Sequence, residues 1–196
     1  MQQYQSLRFT KQEKPSQKVN VEHEELLERL RDHATRERAF RDLVVLYQER
    51  IYWHVRKFVF EHEDANDIVQ NTFVKAYKAL DGFKGEAKLY TWLYRIASNE
   101  SITFVNKAKR RHTSDLEEAR TIQSDSFFDG NQAQKMLQNA MATLPDKQRL
   151  VFNMKYYDDM SYQEISEILQ TSVGALKASF HHAVKKIEHY FKNVQV

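Results

Sequence analysis

Glycine and proline are scarce throughout the chain. Only four glycines and two prolines occur among its 196 residues. Hairpins and tight turns depend on these two residue types, because glycine tolerates a positive φ and proline fixes φ near its turn value. A strand-rich fold needs such turns at short intervals. The sequence therefore predicts an all-α fold made of a few long helices.

Apolar residues recur at spacings of three and four, which is the period of a helix with one buried face. The clearest stripe consists of Phe40, Leu43, Tyr47, Ile51, Val55 and Phe58. Asp64 or a neighbouring residue is predicted to cap a further helix, with Asp67 in its first turn. Gly82 is predicted to end that helix in a left-handed conformation.

Two small helical domains are predicted, joined by a flexible linker. Residues 112–131 are rich in Ser, Asp and Glu and show no helical period, which is typical of a linker. The helical domains on either side would span residues 22–111 and 132–196. Residues 1–21 are polar and aperiodic, and they are predicted to form a tail.

The sequence offers no pattern of a catalytic or metal site. There are no cysteines, and the eight histidines show no HExxH arrangement or other compact ligand set. A glycine-rich phosphate loop, a nucleophile elbow and an obvious acid–base pair are missing as well. We therefore expect no metal, no cofactor and no enzymatic activity.

The chain is predicted to be cytoplasmic and not to insert into a membrane. Its first residues lack the apolar run of a secretory signal. No stretch approaches the roughly 20 consecutive apolar residues of a membrane-spanning helix. Basic clusters at residues 107–111 and 177–192 are separated by an acidic stretch, a segregation that a uniform globule would not need.

Residues 161–192 have the pattern of a helix-turn-helix. Ser161 and Glu164 fit a capping box at the start of a short helix, and a turn at residues 170–172 leads into a longer basic helix. In this motif the start of the second helix enters the major groove. The residues predicted to lie near DNA are Ser172, Gly174, Ala175, Lys177, Ala178, Ser179, His181, His182, Lys185 and Lys186. The alternative is a helical hairpin that only packs.

Aromatic and cationic residues alternate between positions 83 and 95. The set consists of Phe83, Lys84, Lys88, Tyr90, Trp92, Tyr94 and Arg95. Aromatic rings that stack on unpaired bases, beside cations that follow the backbone, suit single-stranded nucleic acid. The alternative is that these rings belong to the core. Tyr90 and Tyr94 lie four residues apart and are predicted to share a surface, whereas Trp92 is either an exposed base trap or a buried core residue.

Three motifs, in this order, resemble those of the extracytoplasmic-function (ECF, group 4) sigma factors of the sigma-70 family. Residues 64–77 resemble the helix that docks on core RNA polymerase. Without the resemblance, the spacing of the polar residues in this helix indicates only an ordinary face exposed to solvent. Residues 83–97 resemble the promoter-melting segment. The run 144–149, with the motifs in 161–174, resembles the C-terminal helix-turn-helix domain. Together these motifs cover most of residues 23–192.

The resemblance implies a factor that binds core polymerase and directs promoter-specific initiation without catalysing a reaction. Docking on a coiled coil of the largest subunit would use Asp64, Asp67, Gln70 and Phe73. Reading and melting of the −10 element would use Phe83, Lys84, Lys88, Tyr90, Trp92, Tyr94, Arg95, Asn99, Lys109, Arg110 and Arg111. The C-terminal domain would bind the polymerase flap and read the −35 element. An anti-sigma factor is a plausible further partner.

The chain departs from the family pattern at several positions. Gln170 stands where the family often has Gly, and a positive φ there would be mildly strained. Ser179 and His182 stand where arginines are common, which leaves the promoter sequence open. A free-standing helix-turn-helix repressor or activator is the alternative function, but it would need neither the 64–77 helix nor the 83–95 segment. A protein-binding adaptor would not need the basic clusters.

Overall fold

The computed structural model describes residues 17–59, 61–85, 87–114 and 132–194, and within these ranges the regular structure is entirely helical. The predicted all-α fold is confirmed. The helices are α1 Gln17–Arg31, α2 Arg36–Val59, α3 His62–Ala79, α4 Leu89–Ser114, α5 Gln132–Ala142, α6 Asp146–Tyr156, α7 Tyr162–Leu169 and α8 Val173–Val194. A 3₁₀ turn at Leu80–Gly82 follows α3.

The described residues form two compact units, which divide between Val105 and Asn106 inside α4. Helices α1, α2, α3 and most of α4 belong to the first unit, and α5–α8 belong to the second. Helix α1 starts within the predicted tail, and α4 ends within the predicted linker. The residues by which these two helices extend past the predicted bounds, 17–21 and 112–114, contain no glycine or proline that would break a helix. Residues 1–16 and 115–131 lie outside the described residues, and the functional domain bounds stay predictions.

The predicted apolar stripe of α2 forms the centre of the first unit. Its members Leu43, Tyr47, Ile51, Val55 and Phe58 are buried. Phe40 is half-buried and packs edge-on against Phe73 of α3, with ring centroids 6.5 Å apart. The stripe therefore holds α2 and α3 together through side chains that the spacing identifies.

Both ends of α3 differ from the sequence prediction. Glu61 occupies the N-cap position without a side-chain cap, and Asp64 lies in the first turn instead of capping. Asp67 lies beyond that turn. At the other end Phe83 N–H donates to the Leu80 carbonyl at 3.1 Å. This bond closes a 3₁₀ turn without a left-handed residue, so the prediction for Gly82 is wrong; the positive φ, +79°, occurs at Gly85.

The second unit contains the predicted capped helix and turn. Ser161 Oγ accepts from Glu164 N–H and the Glu164 carboxylate accepts from Ser161 N–H, which confirms the capping box. Gln170 adopts the left-handed conformation with φ 50° and ψ 45°. A side chain in this conformation costs about 1 kcal/mol relative to glycine. The strain expected at this position is therefore present.

Candidate nucleic-acid interface

Helices α7 and α8 form the helix-turn-helix. The turn between them consists of the three residues Gln170, Thr171 and Ser172. Ser172 Oγ accepts a hydrogen bond from Ala175 N–H at 3.3 Å, so the serine caps the start of α8. Local hydrogen bonds thus fix the beginning of each helix, and the left-handed Gln170 reverses the chain between them.

One face of α8 is buried and the opposite face is open to solvent. Leu176, Ala183 and Ile187 are buried. Ser179 is half-buried, and the other nine predicted DNA-facing residues are exposed, namely Ser172, Gly174, Ala175, Lys177, Ala178, His181, His182, Lys185 and Lys186. The helix therefore presents a continuous surface with three lysines and two histidines, and small residues near its start would allow close approach to base edges.

Aromatic rings fix the direction of α8. Phe180 stacks on Phe152 of α6, with centroids 5.7 Å apart and planes inclined by 13°. Tyr162, at the start of α7, meets the edge of Phe180 at 6.3 Å. The Lys177 ammonium lies 5.9 Å from the centre of the Tyr162 ring. A cation over a ring is attracted by the ring quadrupole, which restrains this lysine on the exposed face.

The predicted 83–95 cluster is divided between surface and core. Phe83 and Trp92 are both half-buried, and their ring centroids lie 4.7 Å apart. Trp92 is thus neither a fully exposed trap nor a fully buried core residue. Tyr90 and Arg95 are half-buried. The exposed members are Lys84, Lys88 and, further along α4, Asn99, Lys109 and Arg110, while the Arg111 side chain lies outside the described residues.

Tyr90 and Tyr94 lie on one face of α4, with ring centroids 6.3 Å apart, but the predicted shared surface role is wrong for Tyr94. Its side chain is only 6% exposed, and its ring lies 4.8 Å from the buried imidazole of His54. Ser98 Oγ donates to the Tyr94 carbonyl at 2.7 Å and lies 3.0 Å from His54 Nε2. Since the hydroxyl has one proton, His54 Nε2–H is the donor in the second bond. These contacts hold Tyr94 in the core, so it is not available to stack on a base.

The predicted polymerase-docking residues of α3 differ in exposure. Asp67 and Gln70 are exposed, and Asp64 is half-buried. Burial raises the pKa of the Asp64 carboxyl above its ordinary value, and the charges of Glu61, Asp67 and Glu63 raise it further. Phe73 is only 7% exposed, so it does not protrude as a contact residue.

An apolar groove between α2 and α3 was not predicted from the sequence. Its volume is about 520 Å³, and Phe73 forms part of its floor. Val74 is 45% exposed and Tyr77 43% exposed at its edge. The remaining lining residues are Phe40, Val44, Gln48, Asn66, Val69, Gln70 and Lys78. The sequence signal was the placement of Val74 and Tyr77 off the buried stripe of α3.

Arg31 connects α1 to the loop before α4, and Arg36 connects α2 to the end of α1 and to the 3₁₀ turn; neither contact was predicted. Arg31 Nη2 donates to the Lys84 carbonyl at 3.2 Å. Arg36 Nε donates to the Leu30 carbonyl at 3.2 Å, and its Nη2 lies 2.7 Å from Asp81 Oδ1. The loop therefore receives support from the end of α1, a part of the chain that lies 53 residues earlier.

Neither a metal centre nor a membrane helix is found in the part of the chain that the structure describes. Residues 17–59, 61–85, 87–114 and 132–194 contain no group of three His, Cys, Asp or Glu side chains placed to hold a metal ion. Across the same ranges no helix is both long and apolar enough to cross a membrane.

The helix-turn-helix with its basic exposed face, together with the cations and partly exposed rings before and along α4, defines a nucleic-acid-binding protein of the helix-turn-helix class. Family models narrow this class. The model described as Sigma-70 region 2 matches residues 43–111, and the model described as Sigma-70, region 4 matches residues 134–187. The chain belongs to the ECF RNA polymerase sigma factors of the sigma-70 family.

Three relatives support this assignment over most of their length. The ECF RNA polymerase sigma factor SigW of Bacillus subtilis is 35% identical over 156 residues, which are 73% of this chain and 83% of the relative. The ECF sigma-E factor of Escherichia coli is 31% identical over 168 residues, 78% and 86% of the two chains. The sigma-H factor of Pseudomonas aeruginosa is 30% identical over 168 residues, 77% and 85%.

Two solved structures share the helical fold. CnrH in complex with the cytosolic domain of CnrY gives a TM-score of 0.65 at 22% identity and covers 87% of this chain and 97% of that one. The sigma factor RpoE from Bartonella quintana, in complex with the anti-sigma factor NepR, gives a TM-score of 0.63 at 21% identity, with coverages of 78% and 96%.

Proposed function

We propose that this chain binds core RNA polymerase and directs it to promoters, reading and melting the −10 element with its first unit and reading the −35 element with its second. The observation that carries the proposal is the presence of three distinct surfaces on one chain. These are the polar face and groove of α3, the cationic and aromatic segment from Phe83 to Asn99, and the exposed face of α8. A free-standing repressor would need only the last surface.

The docking surface for polymerase would combine Asp67 and Gln70 with the groove. Both side chains are exposed on α3, and Gln70 also lines the groove. An apolar groove with a polar edge suits a helical partner that inserts a few apolar side chains. Phe73 would act from the floor of the groove, and Asp64 through the acidic start of α3. The proposed partner is the coiled coil of the largest polymerase subunit.

Strand separation at the −10 element would use α4 and the loop before it. Tyr90 and Trp92 retain partly exposed rings on which unpaired bases could stack. Lys84, Lys88 and Asn99 are exposed beside them, and cations attract the phosphate backbone. Arg95 would add to this surface, while Lys109, Arg110 and Arg111, which follow the division of the two units, remain separate candidates for contacts to −10 DNA. Extruding a base costs a few kcal/mol, which stacking and phosphate contacts would offset.

The −35 element would be read as duplex by the exposed face of α8. Lys177 and Ser179, together with the small residues at positions 174, 175 and 178, lie near the start of the helix, where this motif contacts bases. His182, Lys185 and Lys186 lie further along and suit phosphates. The same unit would also bind the polymerase flap.

Two features of the proposal concern the whole protein. Polymerase would carry out all the chemistry, and the chain would supply recognition alone. Because its proposed partner acts on the chromosome, we expect it in the cytoplasm at the nucleoid.

The structural relative RpoE was solved with the anti-sigma factor NepR. We propose that an anti-sigma factor also controls this chain.

Reconstitution with purified bacterial core polymerase tests the proposal. We expect co-elution on size exclusion, and we expect the complex to select and open a subset of promoter fragments. The free chain is expected to bind the same duplexes more weakly. Tight duplex binding by the free chain without co-elution would instead identify a free-standing repressor or activator.

A further inference from the structure

The loop before α4 comprises residues 83–88, of which 83–85 and 87–88 are described. In its described part, backbone hydrogen bonds outside the helices occur only at its ends. Phe83 N–H donates to the Leu80 carbonyl, and the Lys88 carbonyl accepts from Trp92 N–H, each at 3.1 Å. A loop held only at its ends has several conformations of similar energy unless side chains select one of them.

Arg31 supplies such a contact from α1. Its Nη2 donates to the Lys84 carbonyl at 3.2 Å, in the middle of the loop. The next residue, Gly85, has φ +79°, and a Cβ built there would lie 2.8 Å from the same Nη2. The positive φ requires glycine here, and a Cβ would in addition force the guanidinium to move away from its present position. The guanidinium of Arg31 therefore occupies space that a side chain at position 85 would need.

Arg36 fixes the position of the α1 end from which Arg31 extends. Its side chain is 16% exposed and connects the Leu30 carbonyl of α1 to Asp81 in the 3₁₀ turn. A partly open pocket of about 190 Å³ lies beside these contacts, lined by Leu27, Leu30, Arg31, Arg36, Leu80, Asp81 and Phe83. The end of α1 is therefore attached to the loop at Lys84, and through Arg36 to the 3₁₀ turn that precedes the loop.

We propose that Arg31 is a positioning residue, which selects the loop conformation that gives the −10 surface its base preference. This inference rests on the proposed function. Arg31 acts through the Lys84 carbonyl, and Phe83 carries the loop position to Trp92 through their ring contact. Without the arginine the loop samples more conformations, and bases are discriminated less well.

The test compares Arg31→Ala with Arg29→Ala in reconstituted holoenzyme. Arg29 lies on the same helix but pairs with Asp42, so both variants lose one positive charge and only one loses the loop contact. Opening is measured on a selected promoter and on templates with single substitutions in the −10 element. We expect Arg31→Ala to reduce the ratio of opening on the best template to opening on the worst template by about fivefold, corresponding to about 1 kcal/mol. Arg29→Ala should leave the ratio unchanged.

Two results would overturn this inference and leave the proposed function standing. The first is an equal loss of opening on every template, because that would mean only general support of the fold. The second concerns the slope of the logarithm of the DNA-binding constant against the logarithm of the salt concentration. If the magnitude of this slope falls by about 1 for Arg31→Ala but not for Arg29→Ala, Arg31 contacts phosphate directly. If wild-type holoenzyme opens no promoter, the proposed function fails as well, and the two failures are thus distinguished.

Gly85→Ala provides an independent variant in case Arg31→Ala does not fold. The added methyl displaces the guanidinium and opposes the positive φ. We expect a loss of discrimination, and we expect the double variant to lose less than the sum of the two single variants, because the guanidinium contact can be removed only once. Additive losses would contradict the proposed coupling of these two residues.

Discussion

The ring of Phe83 lies against the ring of Trp92, with centroids 4.7 Å apart and planes inclined by 33°. Phe83 precedes α4 and Trp92 lies in its first turn, so the contact joins the loop to the helix. Both side chains are half-buried. The pair therefore stabilises the first unit and still presents aromatic surface to solvent.

Trp92→Ala should affect both roles of this pair. We expect the free energy of unfolding to decrease by about 2 kcal/mol, less than the roughly 3–5 kcal/mol of a fully buried ring. We also expect promoter opening to fall more than polymerase binding. Urea unfolding of the free chain, co-elution with polymerase and permanganate reactivity of the −10 region measure the three quantities. Trp92→Phe, which keeps a ring, is the control; wild-type opening by the alanine variant would contradict the role in melting.

The sequence predicted those parts of the fold that depend on local spacing. The stripe of α2 and the capping box of α7 are repeated patterns or short-range bonds, and both are confirmed. The family resemblance indicated mild strain at Gln170 if its φ were positive, and the left-handed conformation is present.

The contacts that were missed join residues far apart in the sequence. The four-residue spacing placed Tyr90 and Tyr94 on one side of α4 but could not show that His54 of α2 covers Tyr94. The bond from Arg31 to Lys84 spans 53 residues and matches no spacing rule. The groove formed by α2 and α3 likewise depends on how two helices pack, which the period of each helix does not determine.

Asp67→Arg is expected to weaken polymerase binding while leaving the fold intact. Asp67 is exposed on α3, so the change removes a carboxylate from the proposed docking face without disturbing the core. Val74→Asp, at the edge of the groove, tests the apolar part of the same surface. Co-elution with polymerase and thermal unfolding are measured for both. Glu49→Arg, an exposed carboxylate of α2, is the control, and unchanged binding of both test variants would exclude this docking surface.

Asp64→Asn should stabilise the free protein near neutral pH. Burial and neighbouring carboxylates raise the pKa of Asp64 in the folded state, so its ionised form disfavours folding. This penalty is present above the folded-state pKa and disappears as pH falls below the ordinary pKa of an aspartate. Thermal unfolding across this range should show a higher Tm for the variant at pH 7 and no difference in acid. A lower Tm at pH 7 would mean that interaction with the start of α3 dominates.

Gln170→Gly is expected to increase the free energy of unfolding by about 1 kcal/mol, because glycine adopts the left-handed conformation without the steric cost of a side chain. The matched control is Gln163→Gly within α7, where glycine should lower stability by about 1 kcal/mol. Urea unfolding of the full chain measures both. Equal destabilisation by the two substitutions would mean that the Gln170 side chain makes a compensating contact.

Lys177 and Lys155 lie over the same ring, 5.9 Å and 5.4 Å from the centre of Tyr162, but only Lys177 belongs to α8. Lys177→Ala should weaken binding of the holoenzyme to −35 duplex. If the lysine contacts phosphate, the slope of the logarithm of the binding constant against the logarithm of the salt concentration should also fall in magnitude by about 1. A lysine that contacts a base would instead change the preferred sequence at one position. Lys155→Ala removes the same kind of ring contact together with a hydrogen bond to the Met160 carbonyl at 2.9 Å. We expect it to reduce stability without changing DNA binding, and equal effects of both variants on DNA would show that Tyr162, not Lys177, determines the interaction.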